Sequence, residues 1–186
     1  MNNEDPAIGQ AQAFRFAGFA LAQAAWSVED GEDLVPLGIA EQDGQRNLMR
    51  FATEITPERL SQLSVLVGSK VEPGRYGVLA FASTGAQPTG EPLAILNALI
   101  VDESGDLIGS VRQAYQPARA SRIPGRSSPF GLIGTPSPSD EIDVPGAREG
   151  ILLGVMSHPE GERLFPQLAS FAREMIDASR SAGAES

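Results

Sequence analysis

Apolar positions along this chain alternate between two rhythms, a period of three to four residues and a period of two, and the changes between them mark out its elements. From Gln10 to about Val28, Phe14, Ala17, Leu21, Ala25 and Val28 recur at helical spacing in an Ala-rich stretch, which predicts a helix. Gly18 inside it would permit close packing on another element. Leu34 to Glu41 and Arg46 to Ala52 read as paired strands. Asp43-Gly44 lies between them, a strong hairpin signal because both residues tolerate positive φ. Val35, Leu37 and Ile39 fall on one face, and Pro36 points to an edge position.

Thr56-Pro57 then opens a helix that ends by about Lys70, with Leu60, Leu63, Leu66 and Val67 as its apolar stripe. Tyr76 to Ala82, Leu93 to Val101 and Leu107 to Tyr115 are strands, the last two joined by a turn over Asp102 to Asp106. The nearly continuous apolar run of the middle strand, broken only by Asn97, predicts a central strand covered on both faces. Asn97 itself is expected at an edge or in hydrogen bonds.

Pro117 to Pro145 holds six prolines and reads as a long loop pinned by Phe130, Leu132 and Ile133. Gly150 to Met156 fits either a strand or a short helix. Gly161 to about Ser179 reads as a helix with Leu164, Leu168, Phe171, Met175 and Ile176 on one face and Pro166 in its first turn.

The pattern predicts a single α+β domain over residues 9 to 180, with disordered tails at 1 to 8 and 181 to 186. Its five-stranded, mainly antiparallel sheet is packed with helices. The predicted core comprises Leu21, Val35, Leu37, Ile39, Leu63, Leu66, Leu79, Phe81, Ile95, Leu99, Leu168 and Phe171. The order α-β-β-α-β-β-β followed by a final helix resembles that of profilin-like and roadblock-like domains over roughly residues 10 to 116 and the last helix. The likeness implies a fold and transfers no site.

Composition narrows the chemistry. The chain has 186 residues, 41% of them apolar, one His, one Lys and no Cys, which excludes a thiolate nucleophile and a Cys- or multi-His zinc site. No run approaches the roughly 20 apolar residues of a membrane span, and the acidic start lacks a secretory signal, so the expected location is cytoplasmic, away from membranes. A net charge of −10 disfavours nucleic acid as a partner.

His158 is the only side chain that titrates near neutrality in its unperturbed state. It fits a helix cap or surface imidazole, or else a general base for Ser157 or another hydroxyl. Ser127 and Ser128 beside Arg126 offer such hydroxyls. Carboxylates in turns, among them Glu32, Asp33, Glu54, Asp102, Asp106, Asp140 and Glu141, could serve acid–base work. The acidic turn at 29 to 33 lacks the spacing of a calcium loop, and Ser83 to Gly90 lacks that of a phosphate loop. No cofactor and no metal are therefore expected, and no catalytic residue is assigned.

Charge is unevenly spread. Residues 107 to 139 carry four Arg and no acid, whereas residues 1 to 106 carry 15 acids against 6 bases. Arg112, Arg119, Arg122 and Arg126, with Phe130 beside them, either clamp onto the acidic body or contact an acidic protein partner, since Arg and aromatics are enriched at hot spots. The function expected is a non-enzymatic protein-binding or regulatory domain that forms a homodimer. The alternative is a small hydrolase using carboxylates, a loop serine or His158.

Overall fold

The structure is a computed structural model that describes residues 6–42, 44–87, 89–118, 128–138 and 146–173. It is α+β, with helices packed on an antiparallel sheet of six strands rather than five. The chain runs α1 (Pro6–Val28), β1 (Leu37–Gln42), β2 (Gln45–Arg50), α2 (Pro57–Gly68), β3 (Gly77–Ala86), β4 (Pro92–Val101), β5 (Leu107–Gln116), β6 (Gly131–Pro138), α3 (Ala147–Met156) and α4 (Gly161–Leu164). A further helix, α5, occupies 166–173. The sheet order is β2-β1-β3-β4-β5-β6, with every neighbouring pair antiparallel. No described helix is long and apolar enough to cross a membrane.

The sixth strand lies inside the stretch read as a loop. Its apolar content is short, and Gly134, Pro136 and Pro138 disguise it. The β5–β6 register slips between Arg112 and Ala114. There the Gln113 side chain bridges the irregularity, its Nε2 donating to the carbonyls of Ala114 (2.7 Å) and Ile133 (3.0 Å). Pro36 did not mark an edge: β1 pairs on both sides, and Pro36 sits just before it, accepting the Phe51 N–H through its carbonyl at 2.8 Å.

One face of the sheet carries Leu37, Ile39, Val78, Ala80, Leu96, Ala98, Ile100 and Val111 against α1. Helix α1 is itself covered on its far side by α3 and α4, so it is buried nearly all round, from Ala13 through Ala25 to Val28. Small residues make this sandwich tight. A Cβ at Gly154 would run into the Arg15 carbonyl, one at Gly18 into the Ile151 carbonyl, and one at Gly150 would lie 2.6 Å from the Ala11 oxygen. Gly150 and Gly154, one helical turn apart, thus strip the contact face of α3 to backbone, which is why the ambiguous segment 150 to 156 is a helix.

The opposite face is covered by α2. Thr56 caps this helix by accepting the Arg59 N–H, and Pro57 stands in its first turn. Leu63 and Val67 press on Leu79, Phe81 and Val101. Three residues assigned to the core are exposed instead: Val35, which precedes β1, Leu66, on the flank of α2, and Phe171. The long final helix is broken. Its chain turns at Phe165, which is fully buried, and Pro166 starts α5. Residues 6 to 8, read as part of a tail, are instead the start of α1, while residues 1 to 5, Met175, Ile176 and residues 181 to 186 lie outside the described residues.

Candidate functional site

Helix α2 covers only part of its face of the sheet. By strand alternation, that face continues past the helix through Ser83, Ile95, Asn97, Ser110, Arg112, Ala114 and Ile133. Across the ladder Asn97 pairs with Arg112 and Arg112 with Ser137, while Ala114 pairs with Ile133. Asn97 is buried and anchored, its Nδ2 donating to Ser83 Oγ at 2.9 Å and to the Ile95 and Phe81 carbonyls at 3.3 and 3.4 Å. Arg112 is exposed and forms no ion pair among the described residues. Ile133 is 48% exposed. The result is a firm, half-apolar strip with one cation at its centre.

Phe130 stands on the other side of the sheet. Its ring is 6.0 Å from that of Tyr115, and it packs on the core beneath α1. Odd and even positions of β5 project oppositely, so Tyr115 draws Phe130 away from Arg112. Arg119, Arg122 and Arg126 lie outside the described residues. The open strip adds Ser83, Ile95 and Ile133, which sequence reading did not assign to a site, Ile95 being placed in the core and Ile133 among the residues pinning the loop. The available signal was the alternation Leu93, Ile95, Asn97 along β4.

His158 is not a surface imidazole. It is 5% exposed, packed between Phe19 (ring centroids 5.2 Å apart) and Trp26 (6.2 Å). Its Nδ1 accepts the Glu160 N–H at 3.1 Å, so the proton resides on Nε2, which donates to Gln23 Oε1 at 3.2 Å. Burial pushes its pKa below the ordinary value. Glu160 opposes that shift, and Arg46 reinforces it. Arg46 itself lies with its guanidinium carbon 4.1 Å from the centroid of the Phe19 ring. Both nitrogens of the single imidazole are therefore occupied, Nδ1 within the α3–α4 turn and Nε2 in joining that turn to α1.

The Ser157 hydroxyl and the carboxylates of Asp102, Glu29 and Glu160 are similarly tied. Ser157 Oγ donates to the Gly154 carbonyl at 2.7 Å, away from His158. Asp102 Oδ1 accepts the N–H groups of Ser104 and Asp106, both at 2.9 Å, and so closes its own turn. Arg163 joins Glu29 at the end of α1 to Glu160, and its guanidinium holds the Glu29 pKa below the usual carboxylate value. Among the described residues no three acidic or imidazole groups converge as metal ligands would. Ser127, Asp140 and Glu141 lie outside them.

Two clefts accompany the sheet. One, of about 430 Å³, is lined by Thr84, Leu93, Tyr115, Ser128 and Ile133 at the end of β4. The other, of about 640 Å³, lies between β6, α3 and α5, lined by Pro136, Arg148, Ile151, Leu152, Leu168 and Phe171. Compared with known proteins, the chain matches no family model, no curated protein and no solved structure.

Proposed function

We propose that this chain is a non-enzymatic protein-binding or regulatory domain, acting as a homodimer, that receives an acidic protein surface on the strip around Arg112. The observation that carries the reading is Arg112 itself: an exposed cation, unpaired among the described residues, centred on a sheet face that α2 leaves open. Arg offers a planar fork suited to a carboxylate, and the apolar neighbours Ile95 and Ile133 supply contact area. Binding is favoured over hydrolysis because His158 spends both nitrogens on the fold. The order of the first seven elements, similar to that of profilin-like and roadblock-like domains, agrees with a scaffold of this kind.

A photo-crosslinking residue placed at Ile133 should capture the partner in cells, and the partner can then be purified. Against it, Arg112→Glu should weaken binding at least about tenfold, or roughly 1.4 kcal/mol, with the melting temperature unchanged. Arg119→Ala with Arg122→Ala should weaken it as well. Salt should also lower affinity, since the Debye length is about 8 Å at physiological ionic strength. Unchanged affinity of the Arg112→Glu variant for the purified partner would remove this site from consideration.

A further inference from the structure

We infer that two copies of this chain pair through the outer edge of β2, antiparallel and centred on Asn47, to form one continuous twelve-stranded sheet. The inference rests on the self-association part of the proposed function and is independent of the Arg112 contact, which lies four strands away on a face rather than an edge.

The sheet has two edges, β2 and β6. β6 is blunted: Pro136 and Pro138 lack donors, and its register is broken by the irregularity opposite Gln113. β2 is regular over six residues, and all but Met49 are exposed. Its hydrogen-bonding direction follows from one contact. The Phe51 N–H donates to Pro36, so Phe51 faces β1 with its backbone groups. By the alternation of an antiparallel ladder, Gln45, Asn47 and Met49 also turn theirs toward β1. Arg46, Leu48 and Arg50 turn their N–H and C=O groups outward, where no strand among the described residues pairs with them.

That parity restricts how a second copy can dock. Outward groups must meet outward groups, so even positions pair with even positions and each face of the sheet continues into the same face of the partner. Centring on Leu48 would set Arg46 directly against Arg50 twice, and centring on Arg46 would set it against itself, both like-charge pairs that destabilise a sheet. Centring on Asn47 pairs residues 45 to 49 with their counterparts and sets Arg46 opposite Leu48, which exchange two hydrogen bonds on each side of the axis. An edge arginine usually repels a second strand. Here Arg46 is drawn back over the rings of Phe16 and Phe19 on α1, at 5.8 and 4.1 Å. Leu48, 46% exposed, would be covered in the pair.

The absence of cysteine makes a direct test available. In the proposed register the two Asn47 residues form a non-hydrogen-bonded pair with Cα atoms about 4.5 Å apart, within disulfide reach. The two Leu48 residues would stand diagonally, about 7–8 Å apart. Oxidised Asn47→Cys should run as a covalent dimer of twice 19.6 kDa, while Leu48→Cys should remain largely single chains. Leu48→Pro removes an outward donor without touching the β1 ladder. In sedimentation it should halve the mass of the wild-type species, with the circular dichroism of the folded chain retained. Cross-linking of Leu48→Cys in place of Asn47→Cys would overturn the register. A wild-type mass of 19.6 kDa at every concentration would overturn the pairing, and the Arg112 reading would still stand on its own binding test.

Discussion

Protonating His158 would break the bond that its Nδ1 accepts from the Glu160 N–H and place a charge among Phe19 and Trp26. The folded state therefore holds this imidazole neutral, with a pKa below the value near 6.5 that it has when solvated. A lowered folded pKa means that the unfolded chain binds more protons, so the stabilisation is complete above the unfolded value and is lost as pH falls through that range toward the folded one. His158→Gln should be less stable than wild type by about 1–3 kcal/mol at pH 7.5. The gap, read from urea unfolding, should narrow as the pH is lowered toward 5.5. A gap that stays constant or widens on acidification would show that His158 is not held neutral. Arg112 behaves oppositely, since it is exposed and forms no ion pair among the described residues. Its replacement by Glu is accordingly expected to act on binding and not on stability.

The contact of α1 with α3 is made by glycines, and it fails by overfilling. Gly154→Ala would drive a methyl group into the Arg15 carbonyl, and Gly18→Ala one into that of Ile151. Neither obstacle is a flexible side chain. Each substitution should cost about 1–3 kcal/mol or more, seen as a lowered melting temperature, whereas Gly131→Ala, with nothing near its Cβ, should cost far less. A Gly154→Ala variant as stable as wild type would mean that the two helices are not in backbone contact. Elements with a clean period were legible from sequence. The β1–β2 pairing and the capped start of α2 are examples, because turn and cap chemistry are local. β6 was not legible, since its pairing depends on Gln113 bridging a slipped register across the sheet. The helical state of 150 to 156 was ambiguous because bare glycines favour a helix only when a second helix lies against them. Of the candidate site, Arg112 could be picked out from charge alone. Phe130 could not be separated from it without knowing that Tyr115 takes its ring to the opposite face.

At the scale of the whole molecule, α1 is the middle of a stack, with the sheet on one side and α3 with α4 on the other. Its amides should be among the slowest to exchange with deuterium, while those of Arg46, Leu48 and Arg50 should exchange quickly in dilute solution and slow as concentration rises and β2 edges pair. This central helix precedes nearly everything that covers it. Roughly 128 residues separate Val28 at its end from Met156 at the end of α3. At a synthesis rate of about 5–20 residues per second, α1 leaves the ribosome some 6–25 s before its outer cover exists. During that interval a helix apolar on almost every side has no partner within its own chain for the side that α3 will occupy. Any dependence of this protein on chaperones during translation should therefore fall on its first helix, and slowing the ribosome after the sheet is made should lengthen that exposure.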